Sequence, residues 1–281
     1  MRTGQAWAMG ARGEVDLEML LSLVIGLVLQ AGQLLKRERN RVGGPRGAGY
    51  TADVDAEIEA WLRPKLLNLV NGDYLGEETG SEIEGNTYCW AVDPHDGTAD
   101  FLKGADGSSI SVGLLRDGIP VLGVVYAPIL DQRDGECIAW AEGLPHVLRN
   151  GVPEPFDLSS ATLDGSYVMV SAAAILKHSL NTELCAPGQY LPMPSIAYRL
   201  ARVAAGDGVC AVSLYPVKAY DVVAGHALLR GSGGDLFDQN GEPIRYSVDD
   251  QPERSWNRCF GGTPEVCVEL SRRDWSRIRP L

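Results

Sequence analysis

An apolar run that breaks into a cluster of carboxylates is the feature that most limits what this chain can become. Residues 88–104 read YCWAVDPHDGTADFLKG, a strand-like stretch followed by Asp93, Asp96 and Asp100 around Pro94, His95 and the Gly97-Thr98 pair. The β-formers before Asp93 predict a strand, and Pro94, which cannot donate to a ladder, predicts that it stops there. Asp93 and Asp96 in one rigid turn repel each other unless a cation or a proton lies between them. The helix dipole can account for a single acid at a helix start. It does not account for two acids separated by Pro-His.

With 281 residues the chain can bury a full-sized core, as one α/β unit or as two packed halves, residues 1–150 and 151–281. A formal charge of −12 argues against nucleic acid as a partner, because phosphate backbones are held by clustered Lys and Arg. The basic run KRERNR at 36–41 follows an apolar segment and reads as a helix end placed favourably for the helix dipole. Six cysteines without C-x-x-C spacing read as reduced, mostly buried residues of a cytoplasmic protein. The run LEMLLSLVIGLVLQAGQLL at 17–35 carries no charge between Glu18 and Lys36. Gln30, Gly32 and Gln33 interrupt it, so a buried or amphipathic first helix is the favoured reading and a membrane anchor the alternative.

Along the chain, VGGPRGAGY at 42–50 reads as a mobile connector. Ile58, Leu62, Leu66 and Leu69 recur at helical spacing in a segment that Asp55 should open. SISVGLL and PVLGVVYAP flank RDGI, a hairpin signal; CIAWA follows the turn QRDG, and LRNGVP at 148–153 closes the meander with Asn-Gly. The second half offers the strand YVMVS, the helix SIAYRLARVAAG and the strand GVCAVSL. A further helix is expected to be entered at Asp221 and closed by Gly233-Gly234. Both halves mix strands and helices, so the class is mixed α and β.

The candidate site is a set of acids at element ends: Asp93, Asp96, Glu77 and Glu78 in YLGEETG, Asp55 and Asp221. Hard oxygen donors without thiolates or paired histidines select Mg²⁺, Mn²⁺ or Ca²⁺ over zinc. A His95 carbonyl in the turn can ligate a metal whatever its side chain does, and Gly97-Thr98 offers backbone amides and a hydroxyl for an anion and a water. Together these features describe phosphoryl chemistry.

DPHDGTADF resembles the D-P-x-D-G-T-x-x-F signature of the inositol monophosphatase family of lithium-sensitive, metal-dependent phosphatases. GEE at 76–78, TADVDAEIE, and YDVVAGHALLRGSGGDLFDQNGEPI are similar to that family's upstream acid motif, first helix entry and second signature. The resemblance runs through GGTPEV at 261–266. It implies an α+β fold, a layered αβαβα sandwich with most metal ligands in the first half, and commonly a homodimer. It implies hydrolysis of a small phosphorylated metabolite by metal-activated water, with two or three Mg²⁺ ions and Mn²⁺ as an alternative. Carried onto this sequence, Glu77, Asp93, Asp96, Asp221 and the His95 carbonyl hold metal. Asp55, Glu77 and Thr98 activate water; Asp96, Gly97, Thr98, Ser195 and Asp221 face phosphate or substrate.

The departures fall where the substrate alcohol is chosen. The place of the acid that commonly contacts cyclitol hydroxyls falls at about Leu214, which cannot accept a hydrogen bond. The loop PMPSIAY leaves Ser195 as its best hydroxyl, and Tyr220 stands where the second signature has Trp. SLYP and AGHALL look like the 3′(2′),5′-bisphosphate nucleotidase branch, although Ala99-Asp100 replaces that branch's Lys-Glu; Lys103 and Lys218 are the cations nearest the signatures. Three readings follow: a polyol or sugar phosphate phosphatase, a bisphosphate nucleotidase, and, of another class, a catalytically silent metal- or phosphate-binding protein.

Overall fold

The computed structural model describes residues 15–131, 134–247 and 254–278. The chain opens with helix α1 (Leu17–Arg39), capped by Asp16, whose carboxylate accepts from the Met19 amide at 3.0 Å. Lys36, Arg37 and Arg39 fill its last turn, as the basic run predicts. Its stripe Leu20, Leu21, Val24, Val28, Ala31 and Leu35 is buried, so this long apolar segment serves as a core helix; Met19, Leu23 and Leu29 remain exposed on the other face. Residues 42–50 are no simple connector. They enter a two-residue hairpin, β1 (Gly47–Ala48) and β2 (Thr51–Ala52), while Arg46 binds Glu38 at 2.7 Å.

Helix α2 (Asp53–Leu69) and strands β3 (Asp73–Gly76), β4 (Ser81–Glu82) and β5 (Tyr88–Asp96) follow. Contrary to the expectation from Pro94, β5 does not stop there: the register shifts between Asp93 and Asp96, and Asp96 pairs again, with Ser109. A bulge places the proline where the ladder asks for no donor. Helix α3 (Thr98–Leu102) and the meander β6 (Ser109–Arg116), β7 (Ile119–Ala127), β8 (Glu136–Ala141), β9 (Val147–Arg149) and β10 (Val152–Glu154) come next. Asp117-Gly118 and Asn150-Gly151 turn two of its hairpins with positive φ at both residues, the geometry that matches strand twist. Of the turn QRDG, Gln132 and Arg133 lie outside the described residues.

The remainder supplies β11 (Tyr167–Ser171), α4 (His178–Cys185), β12 (Gln189–Met193), α5 (Ile196–Ala204), β13 (Cys210–Ser213), α6 (Ala219–Gly231), β14 (Asp235–Asp238), β15 (Cys259–Gly262) and α7 (Pro264–Ser271). Asp55 and Asp221 do not open α2 and α6 but stand at the third helical position of each. There their carboxylates reach back to the amides of Ala52 at 2.8 Å and Lys218 at 2.6 Å, as the acid of a capping box does. Gly233-Gly234 lies two residues past the end of α6.

Two sheets result. The eight-stranded one has the order β10-β9-β8-β7-β6-β5-β3-β4 and the five-stranded one β12-β11-β13-β15-β14. Helices α1 and α2 cover one face of the larger sheet, α5 and α6 are buried between the sheets, and α4 and α7 pack on the outer face of the smaller one. This is the αβαβα sandwich, with both faces of each sheet covered. Six cysteines are free and buried, as their spacing predicts.

The middle layer is closely fitted. A Cβ on Gly113 would lie 2.7 Å from the Ala224 amide nitrogen, and one on Gly123 would lie 2.2 Å from the Ala224 carbonyl oxygen. Helix α6 therefore rests its backbone on β6 and β7. Gly123→Ala is expected to destabilise the protein by about 1–3 kcal/mol through overpacking, read as a drop in Tm; an unchanged Tm would show that the helix can lift at no cost.

Candidate active site

Segments distant in sequence converge on an open pocket of about 730 Å³ lined by Glu77, Asp93, Asp96, Gly97, Thr98 and Asp221, together with Arg199, Ser213 and Tyr215. Each acid arrives from a different local device. Asp93 is on β5 at the bulge, fully buried, with Oδ1 accepting from the His95 amide at 2.8 Å. Glu77 follows β3, in a loop held by Glu59, a buried residue that accepts from the Glu78 amide at 2.8 Å and the Thr79 amide at 2.9 Å. Asp96 accepts from Ser195 Oγ at 2.6 Å and the Ala197 amide at 2.7 Å. Asp221 comes from the first turn of α6.

These carboxylates perturb one another. Burial, with a further push from Asp96, raises Glu77 to about 7, against the pull of its hydrogen bond with Asp93. Burial and the charges of Glu77 and Asp96 hold Asp93 well above the usual carboxylate range; burial and Asp96 do the same to Asp221. Asp96 is also raised by burial, opposed by Ser195, the Ala197 amide and Arg199. Glu77 and Asp93, buried beside each other, cannot both carry a charge unless a proton or a cation lies between them. A hard cation fits in that proton's place. Among the described residues no three His, Cys, Asp or Glu side chains close into a finished metal cage. An open carboxylate set suits an ion of the Mg²⁺ kind, which keeps waters and binds through one or two carboxylates plus substrate oxygens.

Asp55 is not on the pocket surface. It is buried behind Thr98, with Oδ1 2.6 Å from His95 Nδ1 and Oδ2 3.3 Å from Thr98 Oγ1. Thr98 also donates to the His95 carbonyl at 2.6 Å, so that oxygen already has one partner. The His95 side chain, which the sequence reading left without a role, is buried between Asp55 and Ser108, whose Oγ lies 3.0 Å from Nε2. Gly97 has φ 94, a conformation that favours glycine, and caps the short helix that Thr98 begins.

Ser195 lies at the pocket but its hydroxyl is committed: it meets Asp96, accepts from the Tyr198 amide at 2.9 Å and lies 2.8 Å from Ser109 Oγ. It positions Asp96 and caps α5. Asp100 and Lys103 line the rim, whereas Lys218 is outside the lining and rests over the Tyr220 ring. Leu214 faces a smaller neighbouring cavity, and the pocket itself meets Ser213 and Tyr215, one position to either side. No carboxylate replaces the expected hydroxyl acceptor there. The sequence reading also missed Arg199; its signal was a cation among the apolar residues of SIAYRLARVAAG.

In the cation-free protein, Glu77 with a folded pKa of about 7 keeps its proton where an ordinary carboxyl has released it. The folded state thus binds more protons, and stability falls as pH rises through that window; Asp93 and Asp221 act in the same direction. Chelator-treated protein should lose Tm between about pH 5 and about pH 8, and a divalent cation should restore more of it at the higher pH. Equal cation-induced gains at both ends would contradict this electrostatic account.

The inositol monophosphatase family model matches residues 16–259. A probable inositol 1-monophosphatase ImpA of Mycobacterium tuberculosis is 28% identical over 214 residues, covering 70% of this chain and 74% of that protein. The 3′(2′),5′-bisphosphate nucleotidase CysQ of Escherichia coli is 30% identical over 165 residues, 56% of this chain and 62% of that one. An inositol monophosphatase structure from Anabaena superposes with a TM-score of 0.70 at 24% identity, covering 94% of this chain and 98% of its own, which shows the shared fold. The family model's match over most of the chain, together with the two-sheet sandwich around the acidic pocket, places this protein in the inositol monophosphatase family.

Proposed function

We propose that this phosphatase hydrolyses the phosphate monoester of a small polyol or sugar in the cytoplasm, with Mg²⁺ as its natural cofactor and Mn²⁺ as a substitute. The observation that carries this reading is the convergence of Glu77, Asp93, Asp96 and Asp221 on a pocket that also contains the Gly97-Thr98 turn. Glu77, Asp93, Asp96 and Asp221, with the free lone pair of the His95 carbonyl, would hold the ions. When bound, such ions neutralise phosphoryl charge and make water nucleophilic near neutral pH.

The chain's own residues do the positioning. Thr98 has one hydroxyl proton and two acceptors in reach, the His95 carbonyl and Asp55. The proton lies on the short contact to the His95 carbonyl in this structure; turned instead to Asp55, 3.3 Å away, it would leave the Thr98 oxygen free to accept from a water in the pocket and aim it. Asp55 is fixed for that task by the Ala52 amide and His95 Nδ1. The amides of Gly97 and Thr98, at a glycine turn that opens a helix, are offered to the phosphate. The reduced state of all six cysteines supports a reducing compartment.

A second reading, a nucleoside 3′-phosphate as substrate, draws support from the less acidic part of the pocket wall. Ser213 and Tyr215 stand there in place of an acid, and Ile175 and Leu176 line the pocket at 66% and 69% exposure. A ring suits such a wall better than a row of hydroxyls.

Purified protein should release phosphate from at least one of inositol 1-phosphate, fructose 1,6-bisphosphate or 3′-phosphoadenosine 5′-phosphate when Mg²⁺ is supplied and not after chelation. No release from any of the three by folded protein would overturn the reading. Asp93→Asn should lower kcat by at least about 100-fold, as loss of a metal-site group does, with the fold intact by circular dichroism; near-normal turnover would remove Asp93 from the site.

A further inference from the structure

We infer that Arg199 anchors a second anionic group of the substrate, a phosphate that is not the one hydrolysed. This rests on the phosphatase reading above and extends it to a further residue of the same pocket. Arg199 is the fourth residue of α5, 5% exposed, and it lines the pocket. Its Nε donates to the Ser195 carbonyl at 3.2 Å and its Nη1 to the Val212 carbonyl. Among the described residues Nη2 has no hydrogen-bond partner and no carboxylate lies within ion-pair distance of the guanidinium. A buried guanidinium ordinarily has such a partner, because an unpaired buried charge is costly and a guanidinium cannot shed its proton.

Two nearby acids, Asp96 and Asp100, act on Arg199 only through space. Asp96 already accepts two hydrogen bonds from α5, and cations held by the site carboxylates would neutralise it further. The positive charge that remains faces the pocket beside Ser171 and Ser213, where parallel strands β11 and β13 end. Ligands of α/β sheets gather outside the carboxyl ends of parallel strands, and a guanidinium fork matches phosphate oxygens. Lys103 at the rim is exposed and mobile about a flexible stem, whereas Arg199 is fixed by two carbonyls and needs little ordering on binding.

The test uses the Mg²⁺-loaded full chain and two substrate pairs that differ only in the second phosphate: fructose 1-phosphate with fructose 1,6-bisphosphate, and adenosine 3′-phosphate with adenosine 3′,5′-bisphosphate. In at least one pair the wild-type kcat/KM should favour the bisphosphate by about tenfold or more, mainly through KM, as one charge-assisted contact provides. Arg199→Met should collapse that ratio by a similar factor, and Arg199→Lys should retain part of it. The pair that shows the preference tells sugar from nucleoside. Equal kcat/KM within both wild-type pairs, or a ratio that Arg199→Met does not move, would overturn the inference. If Arg199→Met does not fold, the wild-type ratios and Arg199→Lys still decide. Absence of phosphate release from all four compounds would instead overturn the phosphatase reading itself, and the inference with it.

Discussion

The molecule depends on a helix that touches a sheet with nothing between them. Gly113 and Gly123 on adjacent strands clear the ground for Ala224, so the backbone of α6 sits directly on β6 and β7. That approach brings the first turn of α6, and with it Asp221, to the pocket beside the β5 bulge that carries Asp93. The Tyr220 carbonyl accepts from Ser111 Oγ at 3.4 Å, a direct tie between the two layers beside the site. A bulkier residue on either strand would push the helix outward and separate acids whose mutual influence is the site's main electrostatic fact. Packing and chemistry meet at this contact, which is why small residues occupy it.

The acids are held apart from ordinary surface carboxylates by what is done to their neighbours. Glu59 spends both oxygens on the loop carrying Glu77, and Asp73 accepts from the amides of Glu84, Gly85 and Asn86 in the loop beyond it. Neither faces the pocket. Each converts a loop that would move into a fixed mount, so that repulsion among the pocket acids cannot relax by loop displacement and must be met by protons or cations. Arg199 adds the only fixed positive charge that is buried at the described pocket wall.

Much of this was legible in the sequence where local rules act alone. Asp-Gly and Asn-Gly turns gave the meander, helical spacing gave the buried face of α2, and the two acid signatures pointed to the pocket. What escaped was decided by tertiary contacts. Pro94 stays within a strand because a bulge absorbs its missing donor, and a bulge is a property of two strands. The His95 ring finds Asp55 forty positions away, and no spacing rule reaches that far. Ser195 looked like a free hydroxyl until the fold gave it three partners. Leu214 borders the smaller cavity, and Ser213 and Tyr215 line the pocket, because the chain leaves β13 at Ser213 and its path beyond is set by packing rather than by strand alternation. Arg199 hid inside a helix pattern that otherwise reads as core.

The apolar rim of the pocket is built differently from the acids' own supports. Ile175 and Leu176 belong to a 3-10 segment, Ala172–Lys177, that joins β11 to α4 and leaves both side chains protruding. They are absent from the three buried clusters that hold the layers together. Exchanges at these two positions are thus uncoupled from the packing that aligns the reacting groups. Single substitutions on this rim can therefore reshape the pocket wall while leaving the layered packing and the acids as they are.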